Sequence, residues 1–176
     1  FFPKGKLKPN QKYDILQEGR YHNNFDFFKF PSLGMDHLKN PDLPPLPYHP
    51  LEDADDFYQA MRERDHLIHV PYHSYDSVVR FFEVAASDPK VTHIKIIQYR
   101  VARKSRIMQA LIDAVKAGKQ VSVFIEVKAR FDEEANLEWG ERLERAGVTV
   151  HYSFPGVKVH SKLALVRRIE NRRARM

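Results

Sequence analysis

The chain contains no cysteine. That removes disulfides, thiolate metal sites and cysteine nucleophiles together, and it is compatible with a reducing, cytosolic setting. No apolar run approaches the roughly 18 residues that a membrane-spanning helix needs, which excludes an integral helical membrane protein. A secretory apolar region is also missing; the chain opens Phe1-Phe2-Pro3-Lys4. Glycine is scarce, 7 in 176 residues, and none falls in a GxGxxG or a Walker-type GKS/GKT pattern. Any bound nucleotide is therefore held without a glycine-rich phosphate loop. What is present is a chain 43% hydrophobic and 30% charged, too apolar for disorder and too poor in Pro and Gly for a fibre. Its length fits one domain, or one domain with an incomplete neighbour.

The formal net charge is +6, but it is concentrated at the ends. Residues 1–12 carry four Lys and no acid, and residues 167–176 carry five Arg and one Glu. The stretch between them is slightly acidic. A basic chain suggests nucleic acid, yet an acidic middle argues against a specific nucleic-acid partner. An anion site in the folded part has to be built from a few aimed cations.

Residues 1–50 and 51–176 read as different regions. The first mixes Phe25, Phe27, Phe28 and Phe30 with turn formers, then places Pro41, Pro44, Pro45, Pro47 and Pro50 within ten residues. Proline removes backbone donors and disfavours helix in the preceding residue, so an extended connector is expected there. Beyond it the pattern is regular. His66–Val70 suits a short strand, and Ser74 caps a helix carrying Val78, Phe81, Phe82 and Ala85 that ends at Asp88-Pro89. Val91–Tyr99 reads as a buried strand. Ser105 caps a helix with Ile107, Met108, Leu111, Ile112 and Val115 at helical spacing, stopped by Gly118. Val121–Val127 is a strand; Asp132, Glu133 and Glu134 open a third helix, with their charge favourable to its dipole. That helix runs through Trp139 and Leu143 to Gly147. Val148–Tyr152 and Val159–Val166 are the last two strands. The alternation predicts an α/β fold with a mostly parallel sheet flanked by helices, preceded by an irregular Pro-rich segment. A strand followed at once by Arg-rich sequence suggests a piece that stops mid-domain.

Three places could carry chemistry. In Val159-His160-Ser161-Lys162-Leu163, residues two apart on a strand share a face, so His160 and Lys162 point together. Arg100 and Arg130 each fall where a strand's carboxyl end meets a helix start, the edge at which open α/β sheets bind ligands. Taken singly, each has an ordinary structural explanation: a half-buried strand His, or a surface Arg bridging to Glu126, Glu133 or Glu134. Together they come from distant parts of the chain and converge on one rim. A nucleophilic imidazole with two guanidinium forks and an ammonium suits phosphoryl transfer through a phosphohistidine. Nearby cations also disfavour protonation of the imidazole and leave a nitrogen lone pair available. His66, His69 and His73 have metal-like density, but Pro71 breaks the helical spacing that would join His69 and His73.

At these residues the chain resembles the ATP-dependent polyphosphate kinase family of the long bacterial type, whose catalytic part has two phospholipase D-like domains. The segments that carry the resemblance are GRYHN at Gly19–Asn23, RERD at Arg62–Asp65 and PYHSYDSV at Pro71–Val78. They continue with YRVA at Tyr99–Ala102, ARFDEEAN at Ala129–Asn136 and PGVKVHSKL at Pro155–Leu163. The resemblance implies that 1–50 is the end of a head domain with its Pro-rich connector, and 51–176 a first phospholipase D-like domain truncated at its C-terminus. It implies reversible transfer of the ATP γ-phosphate to inorganic polyphosphate, with His160 as the phosphorylated histidine and Lys162 as the lysine of the His-x-Lys signature. Arg100 and Arg130 match the arginines of a magnesium–phosphate group; having no lone pair to give a metal, they meet Mg²⁺ through phosphate oxygens. ATP or ADP and polyphosphate are then the partners, and the complete protein a cytoplasmic homo-oligomer for which peripheral membrane association is compatible. The adenine contacts and the second catalytic His have no counterpart here, so this segment alone is expected to be inactive. Two alternatives stand beside it. A phospholipase D-like phosphodiesterase or nuclease shares the His-x-Lys strand, although the Asp that such motifs place five residues after the Lys is Arg167 here. A non-catalytic polyanion-binding module would use the basic ends.

Overall fold

The structure is a computed structural model that describes residues 24–128, 133–154 and 156–176. The basic stretch at 4–12, the GRYHN segment, Ala129–Asp132 and Pro155 lie outside the described residues. The chain divides into two units between Leu43 and Pro44. In the first, Asn24–Lys29 and Asp36–Leu38 are 3-10 turns. Leu33 and Gly34 between them have φ of 51° and 75°, and Phe28 and Phe30 are exposed.

The second unit begins with prolines that leave the backbone extended, but this stretch is not a bare connector. Leu46 pairs with His73 through an isolated parallel bridge, and α1 (His49–Glu52) follows at once, with Pro at its start and Leu51 buried. Then come α2 (Phe57–Glu63), α3 (Asp76–Ser87), β1 (Val91–Gln98), α4 (Arg106–Lys116), β2 (Gln120–Ile125), α5 (Glu133–Arg145), β3 (Thr149–Tyr152), β4 (Ala164–Glu170) and β5 (Arg173–Arg175). Ser105 caps α4 as its sequence predicts, accepting from the Met108 N–H. Gly118 and Gly147 follow α4 and α5 at φ of 82° and 94°, a conformation that costs a side-chain-bearing residue energy and ends a helix cleanly.

The sheet order is β3-β2-β1-β4-β5. β1 pairs parallel with β2, and β2 with β3, whereas β4 runs antiparallel to β1 and β5 antiparallel to β4. The fold is α/β as expected, but the sheet is mixed. The two crossovers that carry α4 and α5 pack both helices on one face, and α3 joins them through α4. That face holds the core: Ile94 and Ile96 of β1 and Val121, Val123 and Ile125 of β2 meet Phe82, Met108, Leu111, Trp139 and Leu143. Strand alternation sends Lys95, Ile97, Ser122 and Phe124 to the opposite face. Among the described residues, no helix is long and apolar enough to cross a membrane.

Two elements differ from the sequence reading. Residues 66–70 form no strand; Ile68 faces a cavity lined by Phe57, Val78 and Phe81, while the His66 ring bonds the Tyr48 hydroxyl and the Ala60 carbonyl. Leu67 and Val70 remain exposed, so the run is anchored at His66 and Ile68 and not along a strand. The last expected strand, 159–166, begins five residues later at Ala164. The Arg-rich end is its hairpin partner, turning at Asn171 and Arg172 with φ of 49° and 62°, the sign pattern of a two-residue hairpin turn.

Candidate functional site

Parallel pairing puts the carboxyl ends of β1, β2 and β3 on one edge of the sheet. Because β4 is antiparallel to β1, with Ile96 opposite Ala164, the chain enters β4 at that same edge. His160 and Lys162 therefore reach the edge where Arg100 stands for a reason other than the parallel strand expected from the sequence. His160 and Lys162 stand on irregular chain ahead of β4, not on a strand.

They meet at Tyr99, the residue that follows β1. The His160 ring stands edge-on to the Tyr99 ring, centroids 5.0 Å apart and planes at 83°. The Lys162 ammonium lies 4.2 Å from the Tyr99 ring centroid, Lys158 at 5.3 Å and the Arg100 guanidinium at 5.6 Å. Lys162 also donates to the His160 carbonyl at 2.6 Å. Each cation on the ring gains roughly 0.5–1 kcal/mol at an exposed site. The larger consequence is electrostatic: an anionic oxygen about 5 Å from one of these charges is favoured by about 1–3 kcal/mol across the effective dielectrics of a protein surface. Arg100, Lys158, His160 and Lys162 are all exposed, so a phosphate can reach them from solvent.

Two buried polar side chains brace this rim. Asn136 of α5 is 0% exposed. Its amide donates to the carbonyls of Tyr99 and Glu126, each at 2.9 Å, and its oxygen accepts from the Val101 N–H at 3.1 Å. Arg100 is thereby bracketed by two backbone groups held from one helix. Glu126, 1% exposed, follows β2 and accepts from the N–H groups of Val159 and Lys128 and from the Ser153 hydroxyl. Burial alone pushes its carboxyl up. The Val159 and Lys128 N–H groups, the Ser153 hydroxyl and the Lys158 charge outweigh that and hold it below the usual carboxylate range. Glu126 is thus engaged with backbone and hydroxyl donors, not held in reserve as an ion-pair partner for an arginine.

Of the residues expected from sequence, the structure brings Arg100, His160 and Lys162 together; Arg130 lies outside the described residues. Tyr99, Lys158 and Asn136 were not assigned roles, and Glu126 was considered only as an ion-pair partner for an arginine. Lys158 stands inside the PGVKVHSKL segment, and an acid directly after the apolar run Val121–Ile125 was a readable sign of a special position. His66, His69 and His73 form no metal centre; the His69 N–H donates to His73 Nδ1, and no group of three or more His, Cys, Asp or Glu suited to a metal occurs among the described residues.

The model of the family described as polyphosphate kinase C-terminal domain 1 matches residues 56–176. The polyphosphate kinase of Vibrio vulnificus strain YJ016 is 48% identical over 165 residues, covering 94% of this chain and 24% of the relative. That of Escherichia coli K12 is 47% identical over 163 residues, covering 91% and 24%. The crystal structure of the Porphyromonas gingivalis polyphosphate kinase superposes with a TM-score of 0.69 at 44% identity, covering 90% of this chain and 26% of that one. The chain spans about a quarter of the length of these curated relatives.

Proposed function

The chain belongs to the polyphosphate kinase family, and on that premise we propose that its Tyr99 rim is the phosphoryl-transfer centre of the complete protein. The substrates are ATP or ADP and inorganic polyphosphate. A ring nitrogen of neutral His160 attacks the γ-phosphorus of ATP; the N–P bond forms as the bond to the β,γ-bridging oxygen breaks, and ADP leaves. A terminal oxygen of a polyphosphate chain then attacks the phosphohistidine, the N–P bond breaks and the chain grows by one phosphate. The reverse sequence returns ATP.

This chain's residues do three things in those steps. The edge-on Tyr99 ring limits the rotation of the imidazole. Arg100, Lys158 and Lys162 surround the same ring and are placed to meet the oxygens on which charge develops. A charge-assisted contact of this kind contributes about 1.5–3 kcal/mol. Arg130 is assigned the same task from its place in the ARFDEEAN segment alone. Mg²⁺ would be ligated mainly by the substrate phosphates, since Arg100, Lys158 and Lys162 repel a cation and Glu126 already accepts three hydrogen bonds.

The observation that supports this reading above others is His160 packed edge-on against the ring on which two lysines and an arginine converge. Labelling the complete protein with ATP carrying radioactive γ-phosphate tests it. Acid-labile label is expected on the wild type and absent from His160→Ala; undiminished label on the variant ends the assignment.

A further inference from the structure

Glu126 takes no part in the bond changes just described, yet it is a carboxylate sealed from solvent beside a cationic site. Its Oε2 accepts from the Val159 N–H at 2.8 Å, one residue before His160. Its Oε1 accepts from the Lys128 N–H and the Ser153 Oγ, each at 2.9 Å. Ser153 in turn accepts from the Val127 N–H at 3.1 Å. One carboxylate is therefore fastened to three separate segments: the turn after β2, the exit from β3, and the strand-free approach to β4. Ser153 is tied to the sheet by its N–H to the Ile125 carbonyl, and Leu163 by its carbonyl to the Ile97 N–H. Between those ties, among the described residues, the Val159–Glu126 hydrogen bond joins the chain to the sheet edge immediately beside His160.

Burying a charge is unfavourable unless it is compensated, and an apolar side chain would fill the same space without that cost. A stabilising role alone does not call for a carboxylate here. What a carboxylate supplies, and an apolar side chain does not, is a fixed acceptor for three N–H and O–H groups from segments 2 to 33 residues away along the chain.

We propose that Glu126 is a positioning residue: its carboxylate fixes the backbone at Val159 and thereby places the His160 imidazole against Tyr99 in line with the incoming phosphate. The proposal rests on the reading of His160 as the phosphoryl acceptor. Glu126→Gln tests it, because the amide keeps the size of the side chain but presents a donor where Val159 or Lys128 also donates. In the complete protein, single-turnover loading of His160 from labelled ATP should slow about 100-fold, the scale of loss from a small misplacement of a reacting group. The KM for ATP should stay within about twofold of wild type, since no nucleotide contact is removed. A drop in Tm with an unchanged loading rate would overturn the proposal and leave Glu126 a structural residue. Should Glu126→Gln fail to fold, Ser153→Ala removes one of the three donors. A several-fold lower kcat at unchanged KM then supports the positioning role, and an unchanged kcat overturns it. His160→Ala separates the two ideas. If it remains fully labelled, the phosphohistidine reading falls and this proposal with it. If it is silent while Glu126→Gln loads at the wild-type rate, this proposal alone falls.

Discussion

The two ends of the sheet treat charge in opposite ways. At the amino end of the parallel strands, Arg168 pairs with Asp88 at 2.6 Å and with Glu170, which also receives Arg62 at 2.5 Å. Lys119, 8% exposed, donates there to the carbonyls of Asp88 and Val91. Cation is set against anion and the ends of the strands are closed. At the carboxyl end, Lys158 and Lys162 rest on the face of Tyr99, and neither forms an ion pair among the described residues. Glu126, whose carboxylate feels the Lys158 charge, is turned inward onto two backbone N–H groups and the Ser153 hydroxyl. Positive charge is thus neutralised where it holds the fold and left outward-facing where a polyanion can use it. An uneven match of charges across one small sheet sets the edge proposed for phosphate apart from the opposite one.

That contrast can be broken by substitution. The largest effect is expected at the closed end. Arg168→Met leaves the mostly buried Asp88 without its guanidinium and Glu170 with Arg62 alone, and unfolding of the complete protein should become easier by about 3–5 kcal/mol. Denaturant titration measures the loss, and the transfer rate per folded molecule should not change; a slower rate in folded protein would mean that the two ends are coupled. At the open end the pattern should invert. Lys162→Met should slow phosphoryl transfer about 10- to 100-fold, as the loss of one charge-assisted contact predicts, with no measurable shift in Tm. A fall in Tm without a fall in rate would assign Lys162 to the scaffold.

Asn136 is a buried scaffold residue at the carboxyl edge, beside Tyr99 and Arg100. Asn136→Leu strands the Tyr99 and Glu126 carbonyls and the Val101 N–H, so a loss of about 1–3 kcal/mol in stability is expected, accompanied by slower transfer because Arg100 loses its brackets. Stability and rate measured on the same preparation should both fall; a loss confined to stability would detach Asn136 from the site. The smallest effect is in pH. Burial pushes the Asp88 carboxyl up, but the Lys90 N–H and the Arg168 and Lys119 charges pull it down further, and the net shift is downward. Glu126 is likewise lowered. A carboxyl held below its unfolded value adds stability that is fully present above about pH 4–5 and is lost as pH falls through the folded value. Thermal unfolding between pH 7 and pH 3 should therefore show an acid-side decline that is shallower in Arg168→Met than in wild type; parallel curves would remove Asp88 from the account.

The parts of the fold set by local pattern were legible. Helices α3, α4 and α5 carry their apolar residues at helical spacing, Ser105 caps α4, and Gly118 and Gly147 end α4 and α5. Ser74 is not the cap of α3, however: Tyr75 holds that position without a side-chain cap bond, and the Ser74 hydroxyl accepts from the Asp76 N–H instead. β1 to β3 are apolar runs between the helices. Strand direction was not legible, because an apolar run does not name its partner. That is why β4 was expected in a mostly parallel sheet and is antiparallel, and why 66–70, a run with only His66 and Ile68 half-buried, read as a strand. At the site, His160, Lys162 and Arg100 were readable from residue type and spacing. Tyr99 and Asn136 were not, since their roles arise from contacts between segments 37 to 61 residues apart along the chain. The place of Glu126 after an apolar run was visible, but its partners Ser153 and Val159 lie 27 and 33 residues away and meet it only in the folded chain. Reactive residue types can be read from a sequence, whereas the groups that brace them are identified once the chain is folded.

On the function proposed above, polyphosphate is handled at the Tyr99 rim and not on the basic hairpin. A crystal structure of the complete protein soaked with inorganic triphosphate separates the two. A phosphate is expected within hydrogen-bonding distance of the His160 ring, with Lys162 and Arg100 on its oxygens. Triphosphate bound along Arg167–Arg175 with the Tyr99 rim empty would overturn the assignment.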